Sequence, residues 1–319
     1  MQSERIEMDA TQKEKPLLSI ITICFNRVSD IAQTCESVVN QTWQGFEWFV
    51  IDGASTDGTI KVLEKYHSRC TRLISEPDCG VYHAMNKGLA LAKGEYVLFL
   101  NGGDRLSGDD ILEKSFAAIT HDADIMYGDI FLERDGEIVD KTSAPSGKDV
   151  DFLFFASGVI PHPASFIRRK LFVEHGGYDE SYRIVGDLDR WVVFAKSGCT
   201  FRKLEAVVSV FKLGGISDDK QPTNHMRLAE LDRVEKTYYT AEEVAESRKM
   251  RKAREGYAVA WSFLPLGAEV HLFSREETKC GIKKVKWCVL GLPVLKKRST
   301  SSLSAKNKYR LLGILPLPL

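Results

Sequence analysis

Three carboxylates stand at the ends of three apolar runs. Asp52 closes "FEWFVID" and opens "GASTDGT", Asp78 follows "TRLISEP", and Asp104 follows "YVLFLNGG". In an open α/β sheet, ligands bind outside the carboxyl ends of the strands. Three acids gathered on one such rim repel each other unless a cation or ligand donors compensate. A hard divalent ion such as Mg²⁺ or Mn²⁺ takes few protein carboxylates and completes its shell with water and phosphate oxygens. Asp104 on its Gly-Gly turn suits an ion that in turn holds a diphosphate, the glycines allowing close backbone approach. Asp52 and Asp78 then remain to accept hydrogen bonds from a base or ribose. Each acid taken singly serves equally well as a turn former; three in successive strand-end loops favour the ligand-binding reading.

The elements that must position these acids alternate. "PLLSIITICFN" (16–26) is a continuous apolar, β-branched run, the pattern of a strand buried on both faces. A helix follows over 29–42, capped by Ser29 or Asp30, then a strand over 46–53, a helix over 59–69, a short strand over 71–78, a helix over 81–94 and the run ending at Asp104. Short connections between alternating strands and helices predict βαβ units and a parallel sheet. After residue 120 the pattern changes: 124–141 reads as two strands joined at Asp135-Gly136, a hairpin signal. Further helices are predicted around 169–177 and 186–198, and closing strands over 201–215. From about 222 onward the reading is helical, with a capping box at Thr240-Ala241-Glu242-Glu243.

The chain has 319 residues, 44% hydrophobic and 28% charged, enough for one large domain and an appendage. Its net charge is zero, but from residue 278 onward there are ten bases and no acid, leaving 34 bases against 44 acids before it. An acidic body with a basic tail suggests that the tail meets something anionic. The tail also holds a weak repeat, "KWCVLGLPVL" (286–295) and "KYRLLGILPL" (308–317). Ten bases without an acid favour interfacial anchoring over packing on the main domain, and the interleaved Leu, Trp, Tyr and Pro fit a lipid surface better than a nucleic-acid phosphate groove. Seven cysteines, an odd number without C-x-x-C pairs, read as reduced thiols in a cytosolic protein. The N-terminal "MQSERIEMDATQKEKP" has no apolar core of a signal peptide, and no stretch reaches the roughly 20 apolar residues of a membrane span.

Four segments, "LSIITICFNR", "VIDGASTDGT", "EPDCGVYHAMNKGLALAKGEYVLFLNGGD" and "GGYDESYRIVGDLDRWVVFAKSG", in this order and spacing, resemble glycosyltransferase family 2 over residues 17–215. The resemblance implies an α/β, Rossmann-like GT-A fold: a mixed, mainly parallel sheet flanked by helices. To this the sequence adds a helical, basic C-terminal extension. The organisation expected is a flexible 1–16, a catalytic domain over 17–221 and the extension over 222–319. The resemblance implies a nucleotide-sugar donor, with Thr22, Phe25, Asn26, Arg27, Asp52 and Asp78 beside the nucleoside and Asn86 and Lys87 near the donor. Asn101, Gly102 and Gly103 lead to Asp104, which matches the metal-binding acid of the D-x-D-type motif. Asp187 matches the acid that serves as catalytic base in inverting members. His162, in "IPHPASFIRR", and Trp191, four residues after Asp187, are expected on the acceptor side.

The chain departs from the commonest pattern in keeping one carboxylate in Asn101-Gly102-Gly103-Asp104, Gly53 after Asp52, Gly186 before Asp187, and Cys79 and His83 in the donor loop. A single metal-site carboxylate makes metal affinity depend on the donor diphosphate. Gly186 is read as leaving the flank of Asp187 open, and "KLGGIS" (212–217) as either an ordinary turn or a loop that closes on the diphosphate.

The function so implied is hexosyl transfer from a nucleotide sugar to a glycan or lipid-linked saccharide hydroxyl, inverting and metal-dependent, in cell-surface polysaccharide or lipopolysaccharide biosynthesis. The expected location is cytoplasmic, peripheral on the inner face of the membrane through 279–319. A non-catalytic nucleotide-sugar or glycan-binding membrane adaptor is the alternative. A sugar nucleotidyltransferase is disfavoured because "CFNRVSD" lacks a glycine-rich phosphate loop. Paired carboxylates also serve glycoside hydrolases, which do not need nucleoside-facing strand ends. A chain cut near 275 is expected to remain soluble while its sedimentation with anionic vesicles falls; equal sedimentation of the cut and full chains rejects the lipid-binding tail.

Overall fold

The computed structural model describes residues 16–117, 123–216 and 223–251 with their side chains, and further on the backbone of segments within 252–311. The chain forms two compact units, Met1–Val244 and Ala245–Leu319.

The first unit is built on a nine-stranded sheet. Its elements are β1 (Leu18–Cys24), α1 (Ile31–Val39), β2 (Phe46–Asp52), α2 (Thr59–Leu63), β3 (Arg72–Ser75), α3 (Val81–Leu91), β4 (Tyr96–Phe99), β5 (Arg105–Leu106), α4 (Ile111–Ala117), β6 (Ile125–Arg134), β7 (Glu137–Thr142), β8 (Ser165–Arg168), α5 (Lys170–His175), α6 (Gly186–Lys196), β9 (Phe201–Lys212) and α7 (Asn224–Tyr238). The strand order is β3-β2-β1-β4-β8-β6-β9-β5, with β7 added to β6. β3, β2, β1 and β4 are mutually parallel, as the βαβ reading requires. β8 runs antiparallel to β4 and β6, while β9 is parallel to β6. The β6–β7 hairpin turns at Asp135 and Gly136, whose φ angles of 54° and 86° suit a primed two-residue turn.

Strand alternation divides the sheet between two cores. Ile21, Ile23, Phe49, Ile51, Val97 and Phe99 pack on one face with Tyr82 and Met85 of α3, Phe172 of α5 and Trp191 of α6. Leu18, Ile20, Trp48, Val50 and Leu98 pack on the other with Ile31 and Cys35 of α1 and Leu112 of α4. The continuous apolar β1 run follows from this double burial. One expected cap differs: Asp30 makes no side-chain bond to the start of α1. It is drawn instead to the ammonium of Lys212, 2.5 Å away, and to Arg27 at 3.6 Å.

The first unit reaches beyond the boundary expected near 221 because α7 is tied to it. Arg233 pairs with Asp179 at 3.0 Å and lies 4.2 Å above the Tyr182 ring, and the Tyr238 hydroxyl donates to Asp189 at 2.8 Å. α8 (Ala241–Trp261) opens with the predicted capping box: the Thr240 amide donates to the Glu243 carboxylate at 2.8 Å and the Glu243 amide to Thr240 Oγ1 at 3.2 Å. The helical reading of the extension ends with α8. β10 (Leu272–Lys279), β11 (Ile282–Val289), β12 (Leu292–Ser299) and β13 (Tyr309–Leu311) form an antiparallel four-stranded sheet. In β11, Val285, Trp287 and Val289 alternate with Lys284, Lys286 and Cys288, the two-residue period of a strand. The interfacial-anchor reading of the two tail repeats falls outside the described side chains.

Gly94 lies where α3 returns to β4. A Cβ there would sit 2.6 Å from the Ser19 amide nitrogen and 2.7 Å from the Leu18 carbonyl carbon, so β1 backbone would have to move. Gly94→Ala is expected to lower the unfolding midpoint by an equivalent of about 1–3 kcal/mol, the usual cost of overpacking; chemical denaturation checks this.

Candidate active site

The loop after β1 is clipped to the loop after β2. Asn26 sits in the left-handed region at φ 51°. Its amide donates to Ser55 Oγ at 2.7 Å and its side-chain oxygen accepts the Thr56 amide at 2.9 Å. The Arg27 amide donates to Thr59 Oγ1 at 2.8 Å and the Val28 amide to Asp57 at 3.0 Å.

Asp52 anchors this arrangement from below. It is fully buried. Its carboxylate accepts the Ser55 amide at 2.9 Å, the Ser75 hydroxyl at 2.7 Å, the Ser55 hydroxyl and, more weakly, the Cys24 thiol at 3.6 Å. Burial and the adjacent carboxylate hold that thiol protonated, far above its usual range. The expectation that Asp52 faces the nucleoside is therefore corrected: protein donors already occupy its oxygens. Thr22 is corrected too. It shares the face of Ile20, is fully buried, and accepts the Trp48 indole N–H at 3.0 Å.

Above this layer lies a cavity of about 280 Å³. Phe25, Arg27, Asp78, Asn101, Gly102, Asp104, Lys212, Gly215 and Ile216 line it. Phe25 is 59% exposed, an open aromatic face beside the cavity. Asp78 accepts the Gly80 amide at 2.9 Å, and its other oxygen lies 2.5 Å from where a Cβ on Gly53 would be. Gly53 thus leaves room for Asp78. Asn86 and Lys87 do not line the cavity. Asn86 donates to the Tyr178 carbonyl at 2.9 Å and Glu180 at 2.8 Å, and accepts the Tyr178 amide at 2.8 Å. Lys87 holds the Pro77 carbonyl at 2.8 Å and Glu76 at 2.9 Å, bracing the turn that presents Asp78. Both support the site from outside.

The two glycines before Asp104 have separate reasons. A Cβ on Gly102 would lie 2.9 Å from Cys24 Cβ, and Gly103 adopts φ 109° while its amide donates to Thr34 Oγ1 at 2.9 Å. Asp104 is only 4% exposed, and one oxygen accepts the Lys212 amide at 3.0 Å. Burial pushes its pKa up to about 6, opposed by that amide and by His162 and Arg27 nearby.

His162 links this rim to α6. Its Nε2 lies 3.2 Å from the Asn101 side-chain nitrogen and its Nδ1 3.6 Å from an oxygen of Asp187. The other Asp187 oxygen accepts the Leu188 amide at 2.9 Å. The Tyr82 hydroxyl accepts the Asp187 amide at 3.3 Å and donates to the Ile184 carbonyl at 2.7 Å. Gly186 does not leave this flank open: a Cβ there would lie 2.8 Å from the Tyr82 ring, so the ring fills the place of a larger side chain. Asp189 points elsewhere, to Arg190 at 2.6 Å and Tyr238. Trp191 does not wall the acceptor side; it is 1% exposed and packs in the core against Phe194. The sequence reading missed Tyr82 and Lys212. Both act on partners more than 100 residues away, and only the neighbouring His83 and the 212–217 loop drew attention to their segments.

Among the described residues, no cluster of three or more His, Cys, Asp or Glu is arranged to hold a metal. Asp104 has one oxygen not engaged by the Lys212 amide, and the buried Asn101 Oδ1 has no partner. That pair of oxygens fits a hard cation that takes most of its ligands from phosphate and water.

Residues 19–176 match the family described as Glycosyl transferase family 2. A PGL/p-HBAD biosynthesis glycosyltransferase of Mycobacterium bovis is 34% identical over 212 residues, covering 64% of this chain and 80% of that protein. An uncharacterized glycosyltransferase of Mycobacterium tuberculosis is 30% identical over 211 residues, covering 65% and 79%. Two solved structures share the fold. S. aureus TarS 1-349 in complex with UDP-GlcNAc superposes with a TM-score of 0.53 at 17% identity, over 70% of this chain and 73% of that one. The mannosyltransferase PcManGT from Pyrobaculum calidifontis, in complex with GDP-Man and Mn²⁺, superposes with a TM-score of 0.50 at 16% identity, over 80% and 77%. The curled, mostly parallel α/β sheet flanked by helices thus has the GT-A fold. The chain belongs to glycosyltransferase family 2.

The folded-state value of Asp104, about 6, lies above its ordinary 3.8. Between those pH values the folded protein keeps a proton that the unfolded chain has released, so stability falls as pH rises through the window. The full penalty, present above the upper value, is at most about 3 kcal/mol for a shift of this size. With chelator present, Asp104→Asn is expected to raise the unfolding temperature at pH 8, with the gain vanishing toward pH 4. Thermal scans across pH check this; a gain independent of pH would refute the burial penalty.

Proposed function

We propose that the chain transfers a sugar, with inversion, from a nucleoside-diphosphate sugar to a hydroxyl of a glycan or lipid-linked saccharide. The observation that carries this reading is the link from Asn101 through His162 to Asp187, which joins the rim holding Asp104 to a carboxylate with one oxygen beside the imidazole. Complexes of UDP-GlcNAc and GDP-Man with proteins of this fold support a nucleotide-sugar donor.

The donor's base stacks toward Phe25 and its ribose lies by Asp78. Arg27 and the Lys212 side of the cavity bring positive charge to the diphosphate. Asp104 and the Asn101 side-chain oxygen would hold a divalent ion, Mg²⁺ or Mn²⁺, which when bound supplies Lewis-acid stabilisation of the leaving diphosphate. Asp187 accepts the acceptor's proton on the oxygen that faces His162, since the Leu188 amide already engages the other. The acceptor oxygen then bonds to the anomeric carbon, the diphosphate departs with the bonding pair from the opposite face, and configuration inverts.

No described helix is long and apolar enough to cross a membrane. The base-rich 279–319 segment supports peripheral attachment to an anionic inner membrane surface, and with it a lipid-linked acceptor. A relative named for PGL/p-HBAD biosynthesis supports a biosynthetic role, here assigned to cell-surface polysaccharide or lipopolysaccharide.

Asp187→Asn is expected to lower turnover about 10²–10⁴-fold while nucleoside diphosphate binding persists. Release of nucleoside diphosphate from a panel of sugar nucleotides with Mg²⁺ or Mn²⁺ measures this. Undiminished turnover in the variant rejects Asp187 as base, and no binding of any donor by the native chain leaves a non-catalytic adaptor.

A further inference from the structure

Helix α6 carries Asp187, yet Val185 at its N-cap makes no side-chain cap bond. The turn feeding the helix is tied down from another element. Glu230, half-buried on α7, accepts three consecutive backbone amides with one carboxylate: Arg183 at 2.7 Å on one oxygen, Ile184 at 2.9 Å and Val185 at 3.0 Å on the other. Hydrogen bonds to an ionised acceptor are shorter and about twice as strong as neutral ones. Among the described residues no cation pairs with Glu230, so its charge is directed at those amides. It does not line the donor cavity. The same turn meets the Tyr82 hydroxyl through the Ile184 carbonyl at 2.7 Å, and the Arg183 guanidinium donates to the carbonyl of Cys79, next to Asp78.

We infer that Glu230 is a positioning residue for the transfer, holding the 183–185 turn so that Asp187 meets the acceptor hydroxyl. The inference rests on the base role of Asp187 proposed above. Glu230 touches no reacting atom; it acts through the backbone two residues before the base. Gln in its place offers one accepting oxygen and turns an N–H₂ group toward amides that themselves donate. Ala leaves the three amides to water, and Asp keeps the charge on a shorter stem. A displacement of about 1 Å at a catalytic group costs up to about 10²-fold in rate.

The test uses the full-length protein, with Glu230→Gln, Glu230→Ala, Glu230→Asp and Asp187→Asn in parallel. UDP and GDP affinity with Mn²⁺ is measured by calorimetry, and turnover with the sugar nucleotide that the panel shows to be hydrolysed fastest. Glu230→Gln and Glu230→Ala are expected to lower kcat about 10–100-fold, with nucleotide affinity and donor KM within about twofold, and Glu230→Asp to recover part of the loss. If both variants turn over at the native rate while Asp187→Asn is inactive, the base assignment stands and the positioning role falls. If nucleotide affinity drops in step with kcat, Glu230 merely supports the fold and the inference is overturned. If Asp187→Asn itself keeps native turnover, the underlying base assignment fails whatever Glu230 does.

Discussion

The ends of β1, β2 and β3 meet on one buried carboxylate. Removing Asp52 from water is costly unless hydrogen bonds replace its hydration, and the hydroxyls of Ser55 and Ser75, the Ser55 amide and the Cys24 thiol replace it. The same bonds fix where the strand ends stand relative to each other. Ser55 in turn receives the Asn26 amide, so the β1 loop inherits its position from Asp52. The cavity wall from Phe25 to Arg27 is therefore set by a group that does not reach the cavity.

Two further carboxylates show how environment divides roles among chemically identical groups. Asp104 is buried with one amide on one oxygen, and its charge is under-compensated, which raises its proton affinity. That is the environment in which a cation gains most. Asp187 is partly open at the start of a helix, where the dipole favours negative charge. One oxygen is occupied by a backbone amide and the other faces an imidazole beyond hydrogen-bond distance. In the mechanism proposed above, burial and donor count separate the acid assigned to the cation from the acid assigned to the proton, the logic by which one fold runs acid and base chemistry together.

Helices α3 and α7 act as braces. Lys87 and Asn86 of α3 pin the turns at 76–78 and 178–180, and Tyr82 of the same helix pins the 184–187 turn. α7 holds Asp179 and Asp189 through Arg233 and Tyr238. Placing these supports on rigid helices rather than on the loops themselves keeps the site in one geometry.

Much of the arrangement was legible in the chain. Period and composition placed β1 to β4 and their helices, the Asp135-Gly136 turn and the Thr240 capping box, because these depend on contacts within a few residues. Asn101 to Asp104 was legible as a strand end too specialised for a simple turn. Thr22, Asp52, Asn86 and Trp191 were read toward the ligand because a polar or aromatic residue near a strand or helix end looks available. The burial of Thr22, Asp52 and Trp191, and the commitment of half-buried Asn86 to Tyr178 and Glu180, depend on which face of the sheet or helix meets another element, and that is settled by packing across distant segments. The sequence alone determined most of the groups near the rim, Lys212 excepted, and what they can do chemically. Only the tertiary structure decided which of them remain free to do it, because a hydrogen-bonding group is spent or spared by partners that folding brings from up to about 180 residues away, as for Lys212 and Asp30.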